Sequence, residues 1–295
     1  MKVNSASLKK FVEENPKLVS RRPAGDGIYV LKYKKTVFYD GLWNDYLEEC
    51  RGTIVDEDYN IVSYPFTKVY NYGVEAKSPV LDGSTKIKAY RKVNGFMVAV
   101  TWHKDDILVS TTGSTDSDYV KMAREFIDRD LDLYRAWCKE YSTYTFMFEC
   151  VHKDDPHIIP EVEGMYLLGH RPKFFGSPIG VSDDMHKAFN CHSVEALECT
   201  LDTLRSLAKT VKHEGFVFYT LDGMTGSKIK SPHYLVSKFV ARNPRTDKLM
   251  RPDVKKSLDE EYYPLIDAIQ ANIEAYTAMD EQTRLSWVRE FLSAQ

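Results

Sequence analysis

The sequence predicts an α+β protein: a body of short strands with flanking helices, followed by a small all-helical module. Three observations carry that expectation. Short apolar runs rich in β-branched and aromatic residues recur between residues 28 and 240. Two amphipathic stretches interrupt them. From residue 243 onwards the apolar residues fall at helical steps instead. The chain divides accordingly into residues 1–242 and 243–295.

The elements follow in order. Ile28–Tyr33, Thr53–Val55, Phe96–Thr101, Ile107–Ser110, Thr145–Cys150, Met165–Gly169 and Gly215–Thr220 have the length and composition of strands. Asp105-Asp106 reads as the turn of a hairpin. One helix is expected from Ser117 to Tyr141, because Val120, Ala123, Ile127, Leu131, Tyr134 and Trp137 share a face. A second is expected behind the cap residue Ser193, with Val194, Leu197, Leu201, Leu204, Leu207 and Val211 on its apolar side. Asn243-Pro244 and Arg251-Pro252 punctuate the passage to the tail. There Leu265, Ile266, Ile269, Ile273 and Tyr276 form one stripe, and Asp280 caps a last helix carrying Leu285, Val288, Phe291 and Leu292.

Composition narrows the function classes. Of 295 residues, 43% are hydrophobic and 28% charged, which supports a sizeable core and excludes a disordered or disulfide-stapled chain. The 40 Lys+Arg against 43 Asp+Glu leave a net charge of −3, the wrong sign for a protein that coats nucleic acid non-specifically. If the chain handles nucleic acid, its positive charge must be gathered locally. The N-terminus lacks the apolar core of a signal peptide, and no apolar run approaches the roughly 20 residues that span a bilayer. An intracellular, cytoplasmic protein with no membrane partner is expected. Five scattered cysteines without a CxxC pair read as reduced thiols.

Several familiar motifs fail. His213-Glu214 begins like a zinc-protease HExxH, but residue 217 is Val. Gly223 to Lys228 suggests a phosphate loop and lacks its ending. His186, Cys191 and His192 have no second pair of metal ligands in the sequence. What remains is a set of lysines and glutamates at strand edges. Arg91-Lys92-Val93-Asn94-Gly95 precedes one apolar strand, Phe148-Glu149 closes another, and Glu214-Gly215 opens a third. In Ser227-Lys228-Ile229-Lys230 both lysines point to the same side of an extended segment.

Lys-x-x-Gly, then a strand-borne Glu, then Glu-Gly, then Lys-x-Lys resembles, in that order, the covalent nucleotidyltransferases: the nucleic-acid ligases and capping enzymes. Upstream, Tyr46-Leu-Glu-Glu-Cys-Arg-Gly-Thr-Ile-Val-Asp56 and Tyr64-Pro-Phe-Thr-Lys-Val-Tyr-Asn71 resemble segments of the RNA ligase 1 family, typified by the T-even phage tRNA-repair enzyme. The likeness covers residues 29–240. It implies a nucleotidyltransferase domain of the ATP-grasp-like ligase type, and an ATP-dependent enzyme that joins 5′-phosphate and 3′-hydroxyl RNA ends. A tRNA is a candidate substrate. Lys92 would be the nucleophile that accepts AMP, and Lys228 and Lys230 would act with it. Arg51, Lys68, Tyr70, Gly95, Glu149, Arg171 and Glu214 would form the nucleotide pocket, with Glu214 also holding magnesium or manganese.

The chemistry suits those residue types. A lysine attacks only as the neutral amine, which at pH 7 is about one molecule in 2,500 for an unperturbed side chain. Nearby cations disfavour the ammonium and also stabilise charge developing on the α-phosphate. Oxygen ligands such as Glu214 suit a hard divalent cation. Two departures stand out: Asn94 where the family usually has Asp, and Thr112 where it has a lysine before Gly-Ser. The missing contact is either absent or supplied by another cation. A DNA ligase or capping guanylyltransferase shares the central motifs but normally adds a five-stranded OB-fold after the Lys-x-Lys, where this chain turns helical. A non-catalytic RNA-binding protein on a decayed ligase body finds support only in Asn94 and Thr112.

Overall fold

In the computed structural model the described residues are 3–294, apart from 26, 182–183, 243–245 and 259. The strands are β1 (Val19–Pro23), β2 (Ile28–Tyr33), β3 (Arg51–Asp56), β4 (Ile61–Ser63), β5 (Tyr70–Asn71), β6 (Lys86–Arg91), β7 (Phe96–His103), β8 (Asp106–Ser110), β9 (Tyr144–Val151), β10 (Gly164–Pro172), β11 (Ala196–Thr200), β12 (Gly215–Thr220) and β13 (Gly226–Lys230). They build three sheets, in the orders β1-β2-β3-β4, β10-β9-β7-β8 and β11-β6-β12-β13-β5. Pairing is antiparallel throughout except for the short parallel contact of β13 with β5.

The chain forms two compact units. The first comprises residues 1–69, 93–195 and 222–224; the second comprises 70–92, 196–221 and 225–295. The first unit holds the two four-stranded sheets. Its larger core gathers Val98, Val100, Phe146, Phe148, Tyr134 and Phe189, with helices Asp118–Ile127 and Leu131–Glu140 supplying the cover. Phe189 is completely buried and sits 4.9–5.3 Å, centroid to centroid, from the rings of Tyr134, Phe146 and Phe148. The second unit holds the five-stranded sheet, whose core of Ile87, Ala89, Phe216 and Phe218 is covered by Leu201 and Leu204.

The expected strands are present, and three expectations change in detail. The hairpin turn consists of Lys104 and Asp105, since Asp106 already pairs with His103. The helix expected over 117–141 is two helices separated by a 3-10 turn at Asp128–Asp130, where Asp130 leaves the helical region (φ −123°, ψ 30°). The helix expected behind Ser193 begins only at Leu201. Thr200 caps it by accepting from Thr203 N–H at 3.3 Å, and Ala196–Thr200 is instead the edge strand β11 on β6. Leu197 and Leu201 are four apart in either geometry, so periodicity could not separate strand from helix there. The pairing partner decided it.

The tail is helical at Tyr263–Ala271, Ile273–Ala278 and Glu281–Ala294. Asp280 caps the last helix by accepting from Thr283 N–H at 2.8 Å. Leu265, Ile266, Ile269 and Tyr276 are buried, as the stripe requires. The Asn243-Pro244 break lies outside the described residues. Among those described, no helix is long and apolar enough to cross a membrane, and no three His, Cys, Asp or Glu side chains gather as a metal site. All five cysteines are free, and burial pushes the Cys138, Cys150 and Cys191 thiols up to about 12.

The aromatic cluster around Phe189 sets the stability of the first unit. Phe189→Ala is expected to cost about 3–5 kcal/mol, measured by urea unfolding, with the second unit's near-ultraviolet signals retained.

Candidate active site

In the second unit three strands end side by side. Phe216 pairs with Arg91 and Gly215 with Lys230. Lys92 continues β6 by one residue and donates its N–H to the Gly215 carbonyl at 2.8 Å. Residues opposite one another share a face. Lys92, Gly215 and Lys230 therefore form one row, with Tyr90, Val217 and Lys228 in the next equivalent row. The alternation read from Ser227 to Lys230 places both lysines on the Lys92 face.

Glycine at 215 is required by geometry. Its φ is +134°, and an added Cβ would stand 2.1 Å from the Ile229 carbonyl oxygen and 2.7 Å from Lys230 Cα. The preceding Glu214 is buried, and its carboxylate lies 3.1 Å from Lys92 Nζ, which retains 23% side-chain exposure. The Glu214 carbonyl also accepts from Ser231 N–H at 2.9 Å, tying this glutamate to the residue after Lys230. Tyr70 is buried in β5, where its carbonyl accepts from the Ser227 hydroxyl at 2.7 Å. A cavity of about 370 Å³ opens beside this edge, lined in part by Tyr72, Arg205, Lys209, Lys228, Lys230 and Glu261.

Glu261 has no counterpart in the sequence reading. It lies in the 3-10 turn Glu260–Tyr262 and forms an ion pair with Lys230, each side chain less than a tenth exposed. Burial alone would raise its carboxyl, but Lys230 and Lys228 outweigh that and hold it down at about 2.

The first unit carries the remaining candidates. Glu149 is buried in β9 between Met97 and Tyr166, and its Oε1 accepts from Gly95 N–H at 3.1 Å. A Cβ on Gly95 would stand 2.3 Å from the Cys150 carbonyl oxygen, so Gly95 permits the close approach. Asn94 is buried, its Oδ1 accepting from Ile159 N–H at 3.3 Å while its own N–H faces Glu161 at 3.4 Å. Arg51 opens β3 and reaches the Phe66 carbonyl at 3.5 Å. Lys68 bonds the Glu48 carbonyl through its N–H and places Nζ 4.6 Å above the Trp43 ring.

Arg171 is set in a framework. Its guanidinium bonds the Ser177 carbonyl at 2.9 Å and the Pro65 carbonyl at 3.2 Å, and lies 3.7 Å over the Tyr64 ring. The Tyr64 hydroxyl donates to Glu49 at 2.7 Å, which opposes the upward push of burial on that carboxyl. These contacts brace Pro65, three residues before Lys68.

Lys32 is a second residue missed in the sequence. It pairs with Arg51 across β2 and β3, and its Nζ packs where a Cβ on Gly113 would stand. Burial, then Arg22 and Arg51, holds its ammonium below the ordinary lysine range. A cation thus lies beside Thr112-Gly113, where the family's usual lysine is absent. Only strand pairing across distant positions brings it there.

Comparison with known proteins gives the family and the fold. Residues 49–239 match the model of a family described as RNA ligase. A curated RNA ligase of Rhodothermus phage RM378 is 23% identical over 204 residues, covering 55% of this chain and 46% of that protein. The chain thus spans about half the length of this relative. Among solved structures, two forms of an archaeal ATP-dependent RNA ligase superpose with TM-scores of 0.61 and 0.60 at 13% identity. They cover 97% and 99% of this chain and 75% and 76% of the archaeal one. A provisionally assigned ATP-dependent DNA ligase of Aquifex aeolicus gives a TM-score of 0.57 at 15% identity, covering 95% and 77%. These structures speak to the fold: antiparallel sheets with flanking helices, of the ligase nucleotidyltransferase kind, with a small helical C-terminal segment.

Two expected outcomes follow from the row. Gly215→Ala forces β12 and β13 apart, with at least about 1–3 kcal/mol lost to backbone strain, read by urea unfolding. The depressed Glu261 carboxyl adds stability that is complete above its ordinary 4.5 and fades as pH falls towards about 2. Acid titration of the wild type should show that loss, and Glu261→Gln should lack it.

Proposed function

Because the chain belongs to the RNA ligase family, we propose that it is an ATP-dependent RNA ligase working through a lysyl-AMP on Lys92. The observation that carries this reading is the row Lys92–Gly215–Lys230 with Glu214 on the Lys92 amine. The row, with Lys228 on the same face and the Glu214 carboxylate 3.1 Å from the Lys92 amine, supports the reading.

In the first step the Lys92 amine attacks the α-phosphorus of ATP. The new N–P bond forms as the α–β phosphoanhydride P–O bond breaks, and pyrophosphate leaves with that electron pair. Lys228 and Lys230 stabilise the negative charge that builds on the α-phosphate. The 3.1 Å ion pair holds the Lys92 side chain against Glu214, and its amine attacks once its proton has passed to solvent, which the partly exposed side chain reaches.

The donor set fits a divalent cation of the magnesium class. Glu214, a buried carboxylate beside Lys92, would hold it. Bound there, it would supply the competing positive charge that releases Lys92 from Glu214. Tyr70, Arg51, Lys68 and Glu149 are assigned to the nucleotide, Glu149 to the ribose hydroxyls with Gly95 N–H fixing its carboxylate. Arg171 acts from behind, by bracing the segment that carries Lys68.

In the later steps AMP passes to a 5′-phosphate RNA end, and a 3′-hydroxyl then displaces it, leaving a phosphodiester and AMP. Residues 1–242 are assigned the adenylyl chemistry and 243–295 a supporting module. RNA, with a broken tRNA among the candidates, is the proposed substrate.

Incubation with α-labelled ATP and magnesium or manganese should leave label on the denatured chain. Lys92→Ala should abolish it, and GTP should not replace ATP. Sealing of 5′-phosphate to 3′-hydroxyl ends should follow with RNA and fail in Lys92→Ala. Absence of label from the wild-type protein would sink the reading, and label from GTP alone would move it to capping chemistry.

A further inference from the structure

Resting on the assignment of Lys230 to the α-phosphate, we propose that Glu261 is a positioning residue for adenylyl transfer. It fixes the Lys230 ammonium in the row beside Lys92. The helical tail thereby supplies part of the catalytic framework.

The side chains of Lys230 and Glu261 retain 9% and 6% of their exposure, so both charges have largely left water. A buried ammonium without a counter-charge is costly, and one with a poorly held partner is mobile. Glu261 removes both problems. A lysine ammonium has three donors, so a bond to Glu261 fixes it without exhausting it. Preorganised charge of this kind stabilises a transition state without reorganisation at the moment of reaction.

Glu261 is delivered by a braced turn. The Tyr262 hydroxyl donates to the Leu235 carbonyl at 2.8 Å, and its ring lies 5.5 Å from that of Phe239. Both partners belong to the helix Pro232–Arg242, which starts two residues after Lys230. That helix is pinned in turn. The Ser231 hydroxyl donates to the His213 carbonyl at 2.5 Å and accepts from Tyr234 N–H at 3.1 Å. The Tyr234 ring lies 5.6 Å from Lys230 Nζ. The path from Glu214, the partner of Lys92, through Ser231, Leu235 and Tyr262 thus ends at Glu261, the partner of Lys230. Lys228, lining the same cavity, adds to the field that keeps Glu261 ionised.

The test is single-turnover formation of lysyl-AMP by the full chain, followed with α-labelled ATP over a range of ATP concentrations. Glu261→Gln keeps the shape and removes the charge. It should lower the maximal rate by at least about tenfold. The ATP concentration at half-maximal rate should move by less than about threefold. Added to Lys230→Met, it should slow the reaction no further. If Glu261→Gln does not fold, Glu261→Asp carries the same test, since it keeps the charge but withdraws it by one methylene. A wild-type rate in the variant, or a loss that adds to that of Lys230→Met, overturns the proposal. A faster rate also overturns it, because Glu261 would then mask Lys230 rather than position it. The wild type and Lys92→Ala separate the two levels. No label on the wild type defeats the ligase reading itself, whereas equal labelling of wild type and Glu261→Gln defeats only the role of Glu261.

Discussion

The close pairing of β12 with β13 at Gly215 is the constraint on which the second unit's chemistry depends. Antiparallel strands stand about 4.8 Å apart, which places the Lys92 and Lys230 backbones roughly 10 Å from each other across the glycine. A side chain at 215 would have to occupy the place of the Ile229 carbonyl. Without one, the row closes, and its two lysines project from the same face. Everything else at this end of the sheet serves that arrangement. Glu214 answers Lys92, Glu261 answers Lys230, and Ser231 ties the strand end to the helix that follows.

Such a row is electrostatically expensive. Like charges brought together in partly desolvated surroundings repel, and each must be balanced to survive folding. The protein balances them with buried carboxylates rather than surface ones, as the 4% and 6% side-chain exposures of Glu214 and Glu261 indicate. This explains how a chain of net charge −3 fits the proposed handling of phosphates. Two of its gathered lysines, Lys92 and Lys230, are countered by buried carboxylates, for which a phosphate can exchange as partner. The first unit does likewise with Arg171, which spends its charge on carbonyls and an aromatic ring to hold a loop in place.

The seven expected strands were legible because each is a short apolar run, and the lysine face of β13 because alternation has a period of two. By contrast, β1 (Val-Ser-Arg-Arg-Pro) and β6 (Lys-Ile-Lys-Ala-Tyr-Arg) carry no such run and are defined by their pairing partners. The helices Ser5–Glu14 and Pro232–Arg242 went unread, and among the expected ones the bounds failed where two periods coincide. Leu197 and Leu201 fit a helix as well as a strand-to-helix junction, and the 3-10 turn at Asp128–Asp130 leaves the apolar spacing intact. The candidate site was legible to the extent that its residues sit in short motifs: Lys92 with Gly95, Glu214 with Gly215, Lys228 with Lys230. Lys32 and Glu261 carry no such motif, being single charges in ordinary surroundings.

The sequence by itself determined the fold class, the order of the chemical motifs, the excluded chemistries and the family. These are properties of local pattern and composition, which need no knowledge of what lies across a sheet. Tertiary structure alone decided that Lys92, Gly215 and Lys230 stand in one row, that Lys32 lies beside Arg51, and that an acid of the helical tail meets Lys230. The reason is physical: strand register and buried charge pairing are set by contacts between distant residues, and no local pattern records which distant charge will answer another.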